Sequence, residues 1–295
     1  MNKMLMITLG LGVLNVAHAQ TVIQMTAPAG TQLSGVVQTT TRTTNATVDV
    51  QPKPNVRLTS QALADFRKSF ATLGSIPTVS QSIPATLEVL PTQADGGVPV
   101  RTTMDIPMPE GKNPVKFNVR SIYYPDGNVK MEFEPISDPA LESAMSGLKD
   151  LFNDPQNQAL YKKAWTPGEV YNQTVTLPFE QFTGGADLKM VGNFTMTSSL
   201  TYVQRGANDE YIFQVSGKSG LNEIRMVDAQ GNIVMKLFMA NVNVSGETRL
   251  RKDGLPLFQK TTQSMKMTLI MNMPELPVTV KTSMNMSMDQ ILNWQ

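Results

Sequence analysis

Two short stretches near the C-terminus decide the fold: SMKMTLIMNM at residues 264–273 and SMNMSM at residues 283–288. In both stretches methionine or leucine occupies every second position, and most of the residues between are polar. Side chains two residues apart share one face of a β-strand, whereas a helix would need a spacing of three or four. The pattern therefore predicts two β-strands whose thioether side chains lie on a common face of a sheet.

The same alternation and the turn-forming residues of the chain predict further strands. They are expected at residues 115–123, 129–133, 171–177, 188–203, 210–216, 221–227, 233–250, 257–273 and 278–288. Clusters of Gly, Asn and Asp separate them, as in the PDGN sequence at 125–128 and the DAQGN sequence at 228–232. Strands that follow one another through short turns favour an antiparallel meander.

Helices are predicted only before residue 165. Apolar residues at helical spacing predict one from Gln61 to about Leu73, with Ser60 as its N-cap and Gly74 ending it. Asp138-Pro139 and Asp154-Pro155 each place a capping carboxylate before a proline, which predicts two more helices, the second at 156–164.

The expected fold class is α+β but mostly β: a large curved antiparallel sheet or half-barrel meander with two or three helices packed on it. Residues 20–55 are expected to form a Thr- and Pro-rich arm or the first strands, and residues 56–295 the β-rich domain. Similar strand–turn–strand sequences around Asp126 and Asp228 leave open that this domain consists of two related halves, 56–165 and 166–295.

The order of these predicted elements is similar to that of a known group of proteins. A strand–turn–strand, capped helices, the W-x-P-G-x-V-Y junction at 165–171 and a long meander resemble uncharacterised bacterial secreted families that fold like lipoprotein carriers of the LolA/LppX type. The resemblance covers residues 55–295, rests on architecture alone and transfers no functional residue. It implies a strongly curved sheet around helices, with an apolar cavity for acyl chains.

The N-terminus predicts export. Lys3 precedes the uncharged apolar stretch Met4–Leu14, which is too short to span a bilayer as a helix, and Ala17-His18-Ala19 fits signal peptidase. Cleavage is expected between Ala19 and Gln20, which removes residues 1–19 as a signal peptide. The mature protein is expected in the periplasm or outside the cell, and it is not expected to span a membrane.

Composition limits the chemistry of the mature chain. The sequence has no cysteine, and its one histidine, His18, lies in the predicted signal peptide. The mature chain therefore lacks the residues for nucleophilic catalysis through an imidazole and for most zinc sites. Catalysis by carboxylates alone or by a Ser–Lys pair needs neither histidine nor cysteine. We expect that the mature protein is not an enzyme and binds no cofactor.

The mature chain is also neutral. Removing Lys3 from 25 basic residues leaves 24 against 24 acidic ones, and this neutrality predicts no nucleic-acid partner.

The methionines are the candidate binding residues, because flexible thioethers adapt to varied apolar ligands. The predicted ligand-lining set shares one face of each strand: Met235, Met239, Met265, Met267, Met271, Met273, Met284, Met286 and Met288. Three interpretations remain open: a packed core, an apolar cavity or groove, and a Cu(I) site built from thioethers.

Two main functional hypotheses follow. The first is an exported envelope protein that binds an apolar small molecule or lipid in a Met-lined cavity. The second is a structural or assembly protein of the cell surface, with a filled core and another envelope protein as its partner; a Cu(I)-binding protein is a third. An internal cavity lined by Met271 or Met286 would favour the first hypothesis, and a packed interior the second.

Overall fold

A computed structural model describes residues 17–18, 22–107, 114–135, 164–181, 188–206 and 208–295. The strands are β1 (Ala17–His18), β2 (Gln32–Pro52), β3 (Val79–Val89), β4 (Val98–Ile106), β5 (Val115–Tyr123), β6 (Val129–Phe133), β7 (Ala164–Trp165), β8 (Val170–Pro178), β9 (Lys189–Arg205), β10 (Tyr211–Ser219), β11 (Asn222–Val227), β12 (Ile233–Leu250), β13 (Pro256–Met271) and β14 (Val278–Trp294). Helix α1 is Ser60–Phe70, and 3-10 turns follow at Ala71–Gly74 and Phe179–Gln181.

One antiparallel sheet of twelve strands forms the body of the molecule, in the order β8-β9-β10/β11-β12-β13-β14-β2-β3-β4-β5-β6. Strands β10 and β11 share one position between β9 and β12: β10 pairs with the second half of β12 and β11 with the first. The pair β1–β7 is separate and parallel. The predicted mostly β fold with an antiparallel meander is confirmed.

Strand β2 occupies the centre of the sheet, where the sequence predicted an arm or the first strands. It is a single strand of 21 residues that pairs with β14 on one side and β3 on the other. The strands of the C-terminal meander and those of the first half are therefore joined through this segment. Strands β3 and β4, which the sequence did not predict, continue the sheet beyond it.

Several predicted elements match the observed bounds, and one cap differs. The predicted strands at 115–123, 129–133 and 233–250 are β5, β6 and β12. Helix α1 forms as predicted, but its N-cap is Thr59 rather than Ser60, because the Thr59 hydroxyl accepts a hydrogen bond of 3.2 Å from the Ala62 amide. The helices predicted after Asp138 and Asp154 lie outside the described residues, apart from Ala164 in β7. Of the helices described, none has the length and apolar character needed to cross a membrane.

The sheet is so strongly curved that its two ends share one core. Val175 and Leu177 of β8 pack in the same buried cluster as Ile83, Val115 and Phe117 of β3 and β5. Strand β8 begins the strand order and β5 is second from its other end, so the sheet wraps around its own inner face. Side-chain burial on that face supplies the main driving force for the curvature.

Helix α1 covers one end of the inner face and the junction at Trp165 covers the other. Phe66 and Phe70 of the helix pack against the buried Val278 and Val280 at the start of β14. At the opposite end Trp165 is fully buried, and its ring contacts Phe213 edge-on at a centroid distance of 6.0 Å. The middle of the inner face lies between these two packed ends.

Candidate functional site: an apolar cavity lined by methionine

Methionines from three neighbouring strands meet on the inner face of the sheet. Met267 of β13 lies opposite Met284 of β14 and opposite Met239 of β12. One row further along, Met265 lies opposite Met286. Directly opposed residues in antiparallel strands have Cβ atoms about 4.5–5.5 Å apart, so their thioethers are in mutual contact range. The common face predicted from the alternation is therefore the inner, concave one.

A cavity of about 1030 Å³ lies over these rows. Seven of the nine predicted residues line it, and we call them the methionine band: Met235, Met239, Met265, Met267, Met284, Met286 and Met288. Leu73, Ile76 and Pro77, which follow helix α1, close one end, and Tyr171 and Leu200 lie towards the Trp165 end. Pockets for small molecules commonly measure about 300–1,000 Å³, so this cavity is large for the class.

Two of the predicted lining residues lie elsewhere. Met271 ends β13 and packs with Val280 in the cluster beneath helix α1. Met273 lies past the end of β13 and is 45% exposed. Met271 shares this cluster with residues of helix α1 and does not line the cavity, and Met273 lies beyond the last residue of β13. Whether the remaining seven hold a ligand stays a prediction.

A second group of inner-face residues, polar but uncharged, adjoins the methionine band. We call it the amide–hydroxyl band, and it consists of Thr39, Thr41, Gln81, Thr261, Gln263 and Gln290. Thr261, Gln290, Thr39 and Gln81 form one continuous cross-strand row over β13, β14, β2 and β3. Gln263 and Thr41 flank Met288 in the next row, so the two bands touch there. Four members line the cavity: Thr41, Gln81, Thr261 and Gln263.

Two polar atoms of this band are buried without a hydrogen-bond partner among the described residues. They are the Thr39 hydroxyl and the Gln290 side-chain carbonyl oxygen, in residues that are 3% and 4% exposed. A buried polar group that makes no hydrogen bond costs about 1–3 kcal/mol, so a protein retains such groups at an energetic disadvantage. The Thr282 hydroxyl, on the helix side of the methionine band, is in the same condition and lines the cavity.

Charged side chains lie on the opposite, outer face. None of the described residues that line the cavity is Asp, Glu, Lys or Arg. Arg42 and Asp289, whose neighbours in sequence face inward, form an ion pair on the outside across β2 and β14. The Arg42 guanidinium, and then the Thr262 hydroxyl at 2.8 Å, hold the pKa of Asp289 below its ordinary value. The sheet thus separates its charges from its cavity.

The described residues offer limited means of binding a metal. They contain no cluster of three or more His, Cys, Asp or Glu side chains. The opposed pairs Met265–Met286 and Met267–Met284 are the thioether pairs that a Cu(I) site would use. Copper binding stays a hypothesis for these four residues.

Some lining residues were missed by the sequence reasoning although the signal was present. Met196 of β9 lines the cavity and continues the alternation of Phe194, Ser198 and Leu200 on its strand. Gln263 is in phase with Met265 and Met267, so the same period of two would have placed it on the inner face.

In comparisons with known proteins, no protein-family model matches this chain, and no curated protein matches it.

Proposed function

We propose that this protein is an exported, non-enzymatic component of the bacterial cell envelope that binds an apolar ligand, a lipid or an acylated molecule, in the methionine-lined cavity. The single observation that carries the proposal is the cavity of about 1030 Å³, whose described lining includes eight methionines and no charged side chain. Export rests on the N-terminal sequence, and the absence of catalysis on the composition of the mature chain.

The physical case is that the cavity offers a favourable environment to hydrocarbon. Burial of apolar surface is favourable by about 25 cal/mol per Å², so an alkyl chain gains free energy on moving from water to thioether and aliphatic side chains. Methionine has three rotatable bonds and a polarizable sulfur, which lets the lining adapt to chains of different shape. The resemblance to the LolA/LppX-type carriers supports the same interpretation.

The test is ligand capture by the mature protein, residues 20–295. We expect native mass spectrometry of protein purified from the periplasm to show bound lipid. We also expect the neutral apolar dye N-phenyl-1-naphthylamine to become fluorescent on binding and to be displaced by long-chain lipids. A clean unliganded mass together with no dye binding would refute the proposal.

The alternative of a structural or assembly protein predicts a different result. A protein whose partners bind at its sheet edges would bind no dye internally and would be cross-linked to another envelope protein in cells. The cavity favours ligand binding over this alternative, because a purely structural sheet gains stability from a filled interior.

A further inference from the structure

The two bands give the cavity a direction. Along β14 the inner-face residues Met284, Met286 and Met288 are followed by Gln290, and along β13 Gln263 precedes Met265. Because these strands are antiparallel, their thioethers lie towards helix α1, beside the Thr282 hydroxyl, and the amides of Gln263 and Gln290 lie towards the other end. A ligand that uses the full length of the cavity therefore meets an apolar region and then a polar one.

The polar region presents unused hydrogen-bonding capacity. The Gln290 carbonyl oxygen accepts hydrogen bonds, and it has no donor among the described residues. The adjacent Thr39 hydroxyl is also unpartnered. Thr261 and Gln81, on either side of these two residues, line the cavity. Gln290 and Thr39 are themselves buried and do not line the cavity, so the groups that a ligand would meet are the side-chain amides of Gln81 and Gln263 and the hydroxyls of Thr41 and Thr261. These groups can accept a hydrogen bond from its O–H or N–H group and donate one to its carbonyl.

The same region is unsuited to a charged head group. A carboxylate or ammonium moved from water into an apolar site loses a large hydration free energy unless an opposite charge compensates it. No described lining residue supplies such a charge. A fatty-acid anion therefore has to leave its carboxylate in water or become protonated, and either requirement weakens its binding.

We infer that the cavity selects an uncharged amphiphile, with its hydrocarbon chain along the methionine band and a neutral group that donates a hydrogen bond at the amide–hydroxyl band. The inference rests on the proposed apolar-ligand function and specifies its ligand class. A monoacylglycerol has this chemistry, as do other long-chain hydroxyl or amide compounds.

The experiment compares three lipids with the same acyl chain as competitors of N-phenyl-1-naphthylamine: monopalmitoylglycerol, methyl palmitate and palmitate. Methyl palmitate is neutral but has no donor, and palmitate is ionised at neutral and alkaline pH. At about pH 8 we expect monopalmitoylglycerol to displace the dye at a concentration about tenfold or more below that of palmitate, because a carboxylate with a pKa of about 4 is fully charged there. Methyl palmitate should lie between them.

Variants separate the hydrogen bond from the charge effect. Gln263→Leu should weaken monopalmitoylglycerol several-fold and change methyl palmitate less, because Gln263 lines the cavity next to the methionine band. Thr261→Val serves as a second variant if the first does not fold. Gln51→Leu is the matched control, because Gln51 is exposed and bonds to Asp49 away from the cavity.

The outcomes distinguish this inference from the proposed function. If the dye binds but palmitate displaces it as well as monopalmitoylglycerol does, the neutral-amphiphile inference is overturned and the apolar cavity stands. The inference is also overturned if Gln263→Leu and Thr261→Val both leave the affinity for monopalmitoylglycerol unchanged. If neither the dye nor any of the lipids binds, the proposed function fails as well.

Discussion

Met267 and Met284 lie directly opposite each other on β13 and β14, and both face the cavity. Replacing Met284 by Trp should fill part of the space while adding apolar contacts. We expect the dye affinity to fall about tenfold or more. Inserting a larger side chain into a filled core costs about 1–3 kcal/mol, and the loss of stability here should be smaller because the space is empty. Fluorescence titration and urea denaturation measure the two effects.

Met273→Trp is the control for that substitution, because Met273 is half exposed and lies outside the cavity. It should leave dye binding unchanged. If Met284→Trp binds the dye as the wild type does, the dye site is not the methionine cavity.

The double substitution Met265→Leu/Met286→Leu separates an apolar cavity from a copper site. Swaps between Leu and Met conserve volume and usually cost less than about 1.5 kcal/mol each, so the fold and dye binding should be retained. A Cu(I) site would lose two of its thioether ligands, and the copper affinity measured by competition with a chelator would fall. Equal Cu(I) binding by wild type and variant, or none by either, would exclude this pair as ligands.

Thr59→Ala tests the observed helix cap. The variant loses the hydrogen bond from the Ala62 amide, which should cost about 0.5–2 kcal/mol and speed hydrogen exchange in residues 60–70. Ser60→Ala should have little effect, because Ser60 is the first residue inside the helix. The reverse order of the two variants would show that Ser60 is the cap.

Gly246→Ala tests the close approach of β12 to β13 beside the cavity. A Cβ atom at Gly246 would lie 2.2 Å from the Lys260 carbonyl oxygen, a backbone atom that cannot move alone. We expect destabilisation of about 1–3 kcal/mol, towards the upper end, in urea denaturation. Gly220→Ala is the matched control, since nothing lies within 4 Å of its added Cβ. Similar stabilities for the two variants would contradict the observed strand spacing.

Asp289 should contribute to stability in a pH-dependent way. Its folded-state pKa is lowered by Arg42 and Thr262, so its stabilising effect is present above the unfolded pKa of about 3.9 and is lost as pH falls through the folded value. The difference in unfolding free energy between wild type and Asp289→Asn should therefore be largest near neutral pH, under about 1 kcal/mol, and shrink in acid. A difference that grows as the pH falls would reverse the assigned direction.

Three predicted strands have the observed bounds, the other predicted strands differ by one to six residues at an end, and two strands that contain proline were not predicted. Strands β5, β6 and β12 were predicted with their observed bounds. Strands β3 and β4 contain Pro84 and Pro99, and proline, which lacks an amide donor, argues against a strand in a sequence-based reading. Pairing with neighbouring strands outweighs that local preference in the folded sheet.

The sequence predicted which face of the sheet carries the candidate site, but only part of the set of residues that line it. The period of two placed seven methionines on what proved to be the inner face. It also assigned Met271 to the cavity lining, but Met271 packs in the valine cluster that residues of helix α1 also contact. Gln263 and Thr261 were available to the same reasoning, because they share the phase of Met265.

The sequence by itself determined which side chains share a face, because the period of two is a property of the extended backbone at each residue. Only the tertiary structure decided what stands opposite that face. Three features depend on contacts between residues far apart in the chain. They are the packing of β8 against β3 and β5, the packing of helix α1 against Val280, and the burial of Trp165. Such contacts set the empty volume above the methionines, and no local pattern encodes that volume.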